Sequence, residues 1–293
     1  MQGFLLIDKP EGMTSFSAVS RIKRLANEKR VGHTGTLDPM ATGVLPIFLG
    51  RATALSSILL EAEKQYTATV KLGITTDTCD ITGRVESENA VSVTEEELLA
   101  VLESFKGETQ QIPPVYSALK KDGVRLYELA RRGEEVEIEP RRVTISQLVL
   151  KSFDKDTFEI FVSCSKGTYI RSLCRDIGEK LGCGATMTAL RRNSTCGFSE
   201  DLCVKLEDLT PDNISQFLKS EEYAVRHLRE VSVSEKQAVR FSNGGQLAYE
   251  RLKNADFSDR ELLRIKFGDK FLGIGVAENE KQQIAIKCVI NQM

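Results

Sequence analysis

The chain has no Cys-x-x-Cys pair, no G-x-G-x-x-G turn, no phosphate-binding P-loop and only two histidines among its 293 residues. Without the glycine motifs, dinucleotide and nucleoside-triphosphate chemistry lose their usual cradles. The seven cysteines are odd in number and not closely paired, which argues against a disulfide framework or a structural zinc site. In a reducing compartment such residues are small core side chains. No apolar run approaches the length of a membrane span, and the opening MQGFLLIDKP carries an acid and a base where a signal peptide is apolar. The expected location is therefore the cytoplasm, with no membrane partner. Nor does one charge dominate: 40 Lys and Arg face 42 Asp and Glu, so the surface is not coated in nonspecific positive potential.

What is present is an ordinary globular composition, 41% hydrophobic and 28% charged, in a chain long enough for one large domain and a small one. Gly3–Lys9 reads as a short buried strand. Thr14 or Ser15 caps a helix reaching about Asn27, with Phe16, Val19, Ile22 and Leu25 on its inner face. Residues 65–74 alternate around Tyr66, Ala68, Val70 and Leu72 as a sheet strand does. Thr94 with Glu97 forms a capping box for a helix through Leu98, Val101, Leu102 and Phe105, stopped at Gly107. Residues 143–153 and 157–163 read as a hairpin. Residues 168–181 read as a helix with Ile170, Leu173, Cys174, Ile177 and Leu181 inward. The polar stretch 110–142 is either a clamp over a substrate or a surface excursion. From 231 onward the pattern changes to a compact block, with a turn at 243–245 and strands at 262–267 and 270–276. Strands interrupted by helices, with a hairpin among them, predict an α+β fold on a mixed or antiparallel sheet.

Charge is unevenly spread. Residues 1–60 carry seven Lys or Arg against four acids, and residues 165–192 carry six against two. If these segments converge they form a basic face suited to a polyanion; the alternative is two solvated helix faces. Between the ends of the first segment lies GHTGTLDPMATGVLP, residues 32–46, too rich in Gly, Thr and Pro for a regular helix. Its single carboxylate, Asp38, sits where Leu37, Met40, Val44, Leu45 and Ile47 can anchor the loop. A lone acid on a stiff loop suits a catalytic carboxylate, and an Asp-Pro turn is the plain alternative.

Five segments in order, GFLLIDKPEGMTS, GHTGTLDPMATGVLP, EKQYTATVKLG, PPVYSALKKDGVRLYELARRG and CSKGTYIRSLCRDIGEKLG, resemble the TruB family of tRNA pseudouridine synthases over residues 3 to 200. The resemblance implies a pseudouridine synthase-like catalytic domain over 1–230, with an RNA-contacting insertion at about 113–142, and a small β-rich, PUA-like RNA-binding domain over 231–293. It also implies a reaction: a uridine in the tRNA T-loop, position 55 by tRNA convention, is detached from C1′, turned and rejoined through C5, with no cofactor and no metal. By resemblance Asp38 acts on the ribose, either as a nucleophile at C1′ or as a base at C2′, and Arg171 pairs with it. Tyr66 stacks on the extruded base. Lys9 meets phosphate or supports the Asp38 loop, while His33, Tyr169 and Leu190 contact the substrate. Lys120, Arg125 and Arg131 of the insertion, with basic residues of the first helix and of the 168–181 helix, hold the T-arm backbone. No obligate protein partner is implied, and the expected state is a monomer. The rival readings are a noncatalytic tRNA-binding or folding chaperone, which needs neither Asp38 nor a paired Arg171, and a pseudouridine synthase for another RNA. No cysteine earns a catalytic role, and His227, with no motif around it, reads as structural.

Overall fold

The computed structural model describes all residues except Glu61, Ala118, Asp122, Glu135 and Asn254; the side chains of Lys120, Tyr127 and Arg131 also lie outside the described set. One mixed sheet, ten strands among the described residues, organises the chain. Across it run Val204–Lys205, Gly3–Lys9, Thr42–Leu49, Ala185–Thr195, Lys64–Leu72, Thr157–Cys164, Arg141–Asp154 and Gly107–Gln111. Val31–His33 pairs beside Thr42–Leu49, and Phe198–Ser199 beside Ala185–Thr195. All but two of these pairings are antiparallel. The one that matters most is a short parallel splice, Arg191 opposite Thr42 and Arg192 opposite Gly43. There the N-terminal strands, which carry the Asp38 loop, join the later strands that carry Tyr66.

The alternation read from residues 65–74 holds in the Lys64–Leu72 strand, where Tyr66, Ala68, Val70 and Leu72 are buried and their neighbours are partly open. The hairpin is Arg141–Asp154 with Thr157–Cys164. Both N-terminal caps form as expected. Thr14 accepts from the Ser17 amide above Ser15–Leu25, and Thr94 and Glu97 complete a reciprocal capping box above Glu95–Glu103.

Those two helices and Ile170–Lys180 cover one face of the sheet through Ala18, Ile22, Leu98, Leu102, Leu173 and Ile177. The strand Gly3–Lys9 is buried on both sides. Leu5 and Ile7 point into the helical layer, and Phe4 and Leu6 into a second core shared with Phe271, Ile274 and Ile290 near the C-terminus. The C-terminal part forms its own five-stranded sheet of Arg229–Ser232, Leu262–Phe267, Lys270–Glu278, Gln283–Val289 and Leu247–Ala248, with helix Glu235–Ser242. Val231, Phe241, Leu263, Ile265 and Leu272 fill its core. The chain is thus a mixed α+β structure with a β-rich C-terminal part.

The first helix departs from expectation. Phe16 is 77% exposed, and the buried positions are Ser15, Ala18 and Ile22. Small residues face inward because the helix start presses directly on the Asp38 loop: Ser15 Oγ donates to the Leu37 carbonyl (3.0 Å) and accepts from the Leu37 amide (2.8 Å).

The splice depends on a glycine. Gly43 has φ +101°, and a Cβ there would lie 2.3 Å from the Arg192 carbonyl oxygen. Gly43→Ala is therefore expected to destabilise the protein by about 3 kcal/mol, from strain and a backbone clash together. Urea unfolding of wild type and variant measures it; an unchanged midpoint would show that the splice can yield.

Candidate active site

The Asp38 loop is stiff because both of its sides are tied down. On the near side Leu37 and Ala41 are buried and Ser15 clamps Leu37. On the far side the Pro39 carbonyl accepts from the Gly12 amide (2.8 Å) and from Lys9 Nζ (3.2 Å). Lys9 is completely buried, and it also donates to the carbonyls of Pro10 (2.8 Å) and Met13 (2.6 Å). Of the two roles expected for Lys9, these bonds are those of a support for the Asp38 loop. Burial lowers its pKa to about 8, against the pull of Asp38 in the other direction.

Asp38 itself leaves about a third of its side chain open and turns the rest toward Arg171. Arg171 Nη2 donates to Oδ1 (3.2 Å), and Nε stands 2.9 Å from Oδ2 as an ion-pair contact rather than an aligned hydrogen bond. The Asp-Pro turn is therefore not the use to which this carboxylate is put. The surface alternative for Arg171 also fails, since the residue is 5% exposed, at the start of Ile170–Lys180. Its remaining donors are held by the Thr78 carbonyl (3.1 Å) and the Tyr116 carbonyl (3.0 Å).

A further ligand of this guanidinium escaped the sequence reading. Asp80 is buried, its Oδ2 lies 3.4 Å from Arg171 Nη1, and its Oδ1 accepts from Thr78 Oγ1 (2.9 Å) and the Thr82 amide (3.0 Å). The local signal was the run TTDTCDITG, with hydroxyl residues two positions to either side of the acid, the pattern of a carboxylate tied into its own turn. Burial pushes the Asp38 carboxyl above its ordinary range, and Asp80 adds to that push while Arg171 and Lys9 oppose it.

Tyr66 is 7% exposed and shares a cluster with Leu37, Ala41 and Leu190 beside this pair. Burial holds its phenol above the usual range, and the nearby Arg192 guanidinium opposes that push. Tyr169 caps the Arg171 helix, with its backbone amide and carbonyl both bonded by the side chain of Gln111. His33 ends the strand leading into the loop. It is half-buried, its Nδ1 has no hydrogen-bond partner among the described residues, and burial with the nearby Arg192 lowers its pKa, so the ring is neutral at pH 7. Arg125 is exposed on a two-residue strand, Val124–Arg125, of a small hairpin that follows Tyr116. The Lys120 and Arg131 side chains lie outside the described residues. Among the described residues no three His, Cys, Asp or Glu side chains cluster as a metal site would require.

The expected basic face forms only in part. In the segment 165–192 Arg171 is buried, Arg175 pairs with Asp176 and Glu179, Arg191 with Asp8 and Glu200, and Lys180 bonds Ser104. The three arginines serve as struts, because guanidiniums this close to carboxylates are satisfied before any polyanion arrives, while Lys180 is exposed. In the N-terminal segment Lys23, Arg24, Lys29 and Arg30 remain exposed.

Comparison with known proteins gives the family. Residues 23–170 match a family model described as TruB family pseudouridylate synthase (N terminal domain), and residues 171–232 one described as tRNA pseudouridylate synthase B C-terminal domain. A protein named tRNA pseudouridine synthase B from Clostridium tetani is 44% identical over 281 residues, 96% of this chain and 97% of its own. One of the same name from Azoarcus sp. (strain BH72) is 47% identical, covering 94% of this chain and 91% of its own. Among solved structures, a Cbf5-Nop10-Gar1 complex superposes with a TM-score of 0.78 at 28% identity, covering 99% of this chain and 85% of the other.

Two substitutions separate the roles of the carboxylates. The folded-state pKa of Asp38 is raised above its unfolded value, so its ionisation costs stability as pH rises through the folded value. Asp38→Asn is therefore expected to be at least as stable as wild type at pH 7. Asp80→Asn takes from Arg171 its buried carboxylate, leaving only the partly open Asp38 against it, and disturbs the turn that Thr78 and Thr82 make with Asp80, so it is expected to lose about 3 kcal/mol. Thermal unfolding at pH 7 checks both, and the reverse order would contradict the assignment.

Proposed function

The chain belongs to the TruB family of pseudouridylate synthases, and we propose that it isomerises the T-loop uridine of tRNA, position 55 by tRNA convention, to pseudouridine. The observation that carries this reading is Asp38: a partly open carboxylate on a loop fixed at both sides, with a buried guanidinium against it. In the reaction the C1′–N1 bond breaks and a C1′–C5 bond forms, while the C5 proton leaves and N1 gains one. Nothing is oxidised and no group departs. Asp38 serves either by attacking C1′ or by taking the C2′ proton, and both routes require its ionised form. Arg171 favours that form, and its planar fork grips the carboxylate in a way an ammonium cannot repeat.

Tyr66 offers a ring face to the extruded base, with Leu190 beneath it in the same apolar cluster. His33 and Tyr169 sit where the nucleotide enters and complete the substrate contacts. Lys23, Arg24, Lys29, Arg30 and Arg125 hold phosphates of the T-arm, with Lys120 and Arg131 in the same role; RNA of this kind is recognised by shape, backbone and splayed bases. The residues 1–230 form the catalytic domain and 231–293 a PUA-like domain that supports RNA binding. The enzyme works as a monomer in the cytoplasm, without an obligate protein partner or added cofactor. No helix among the described residues is long and apolar enough to cross a membrane.

The test is an unmodified tRNA transcript incubated with the protein alone, with pseudouridine mapped to the nucleotide. Wild type converts the T-loop uridine; Asp38→Asn binds the tRNA but is on the order of a thousandfold slower or more. Because burial raises Asp38, the wild-type rate also falls with acid at a pH above that where an ordinary carboxylate protonates. Tight binding by wild type with no product would favour a noncatalytic tRNA-binding protein, and conversion only in another RNA would move the substrate.

A further inference from the structure

Phe16 is the most exposed large hydrophobic side chain among the described residues, 77% open to solvent where every other stays below half. A single apolar residue on a surface is ordinary and asks for no explanation by itself. What sets Phe16 apart is its place. It lies in the first turn of Ser15–Leu25, directly after Ser15, whose hydroxyl both donates to and accepts from Leu37. Gly12, four residues earlier, donates to the Pro39 carbonyl on the other side of Asp38. The ring therefore stands on the segment that frames the Asp38 loop, and it is turned outward from the core.

The same helix face is basic. Lys23 lies seven positions after Phe16, two turns along, with Arg24 beside it, and both are exposed. Lys29 and Arg30 follow beyond the helix, exposed as well. No ion pair of these four cations is found among the described residues. The helix carries no acid, and Glu28 is already held by the N-terminal ammonium (2.9 Å) and the Arg30 amide (3.0 Å). Arg171, Arg175 and Arg191 differ, because carboxylates engage each of them. Free cations draw a polyanion, and an aromatic face among them adds a platform on which a base can stack. A protein partner asks for a wider apolar patch than one ring, and Ser17 and Ser20 beside it are polar.

We propose that Phe16 is a base-stacking contact for the RNA substrate: its ring lies against an unpaired nucleobase of the tRNA other than the target uridine, while Lys23 and Arg24 take phosphates of the same strand. The inference rests on the tRNA substrate given under the proposed function. The base is unpaired, since one inside a duplex has both faces covered by its stack. It is not the target, which goes inward to Tyr66 and Leu190 while Phe16 faces out. The contact is indifferent to base identity, because every base has a π-face. The ring supplies affinity and no chemistry.

The chain contains no tryptophan, so Phe16→Trp carries the sole indole and its fluorescence reads the contact directly. Emission is followed as unmodified tRNA transcript is added, and again with a fully paired RNA duplex at saturation. Affinity for tRNA over a range of salt, kcat/KM for pseudouridine formation and thermal stability are measured for wild type, Phe16→Trp, Phe16→Leu and Phe16→Ala. Bound tRNA is expected to quench the indole, and bound duplex to leave it unchanged. Phe16→Ala should melt with wild type, bind tRNA about tenfold more weakly at every salt concentration, and lose a similar factor in kcat/KM. Its salt slope should match wild type, because the ring neutralises no phosphate. Phe16→Leu keeps an apolar side chain without a ring and should lose most of that affinity too. An unquenched indole on bound tRNA overturns the proposal, as does equal quenching by the duplex. So does tRNA affinity within about twofold of wild type in Phe16→Ala or Phe16→Leu. If wild type binds tRNA and the indole is quenched but no pseudouridine forms, the proposed function falls and the stacking contact stands; no binding of tRNA by wild type removes both.

Discussion

One guanidinium serving two carboxylates is the interaction on which the site is built. Asp80 is buried and locked by Thr78 and Thr82, and together with the carbonyls of Thr78 and Tyr116 it fixes where Arg171 can be. Asp38 then meets a cation whose position does not depend on Asp38 itself. The three groups carry a net charge of one negative, so Asp38 is drawn toward ionisation by the arginine and held back by its neighbour. A carboxylate balanced in this way is poised to act on a substrate that reaches its open side, and it stays aligned as it does so.

Much of the surrounding architecture makes sense as support for that arrangement. The parallel splice at Thr42–Gly43 and Arg191–Arg192 brings the N-terminal strands, and so Asp38, beside the strand of Tyr66. Lys9 and Ser15 hold the loop from below and from one side. The segment after Gln111 is stitched to the Arg171 helix through Ser172 Oγ to the Ile112 carbonyl (2.8 Å) and through Tyr116, so the insertion contributes directly to the site. Buried charge at Lys9, Arg171 and Arg192 is tolerated because each group donates to backbone carbonyls, and Arg171 to a carboxylate as well, within a continuous apolar core. The cysteines around them take no part. Burial pushes the Cys164 thiol up to about 11 and that of Cys174 up as well, so both stay protonated and inert.

Local physics was legible in the sequence and long-range pairing was not. Capping boxes, strand alternation and the 154–156 hairpin turn depend on residues within a few positions of one another, and the structure has them as read. The Asp38 loop was legible for the same reason, since its anchors flank it. Asp80 was missed because its partner lies ninety-one positions away in the chain, and a spacing pattern carries no trace of that contact. Phe16 was misplaced because helical periodicity cannot say that a small-residue face docks against a loop. The second basic segment misled because composition counts charges without their partners: Asp8 reaches Arg191 from 183 positions away, and Glu200 from just outside the segment counted. The resemblance supplied Arg171, and the geometry supplied the reason an arginine is needed there.

The balance of charges around Asp38 is the central claim, and its most direct test is the pKa of that carboxyl, followed by carbon-13 NMR in wild type and Asp80→Asn. The account predicts that wild-type Asp38 titrates above the ordinary aspartate range, because burial and Asp80 outweigh Arg171. It also predicts that removing the Asp80 charge lowers the value, as Arg171 turns wholly to Asp38. A wild-type value at or below the ordinary range, or one that Asp80→Asn leaves unmoved, would contradict it.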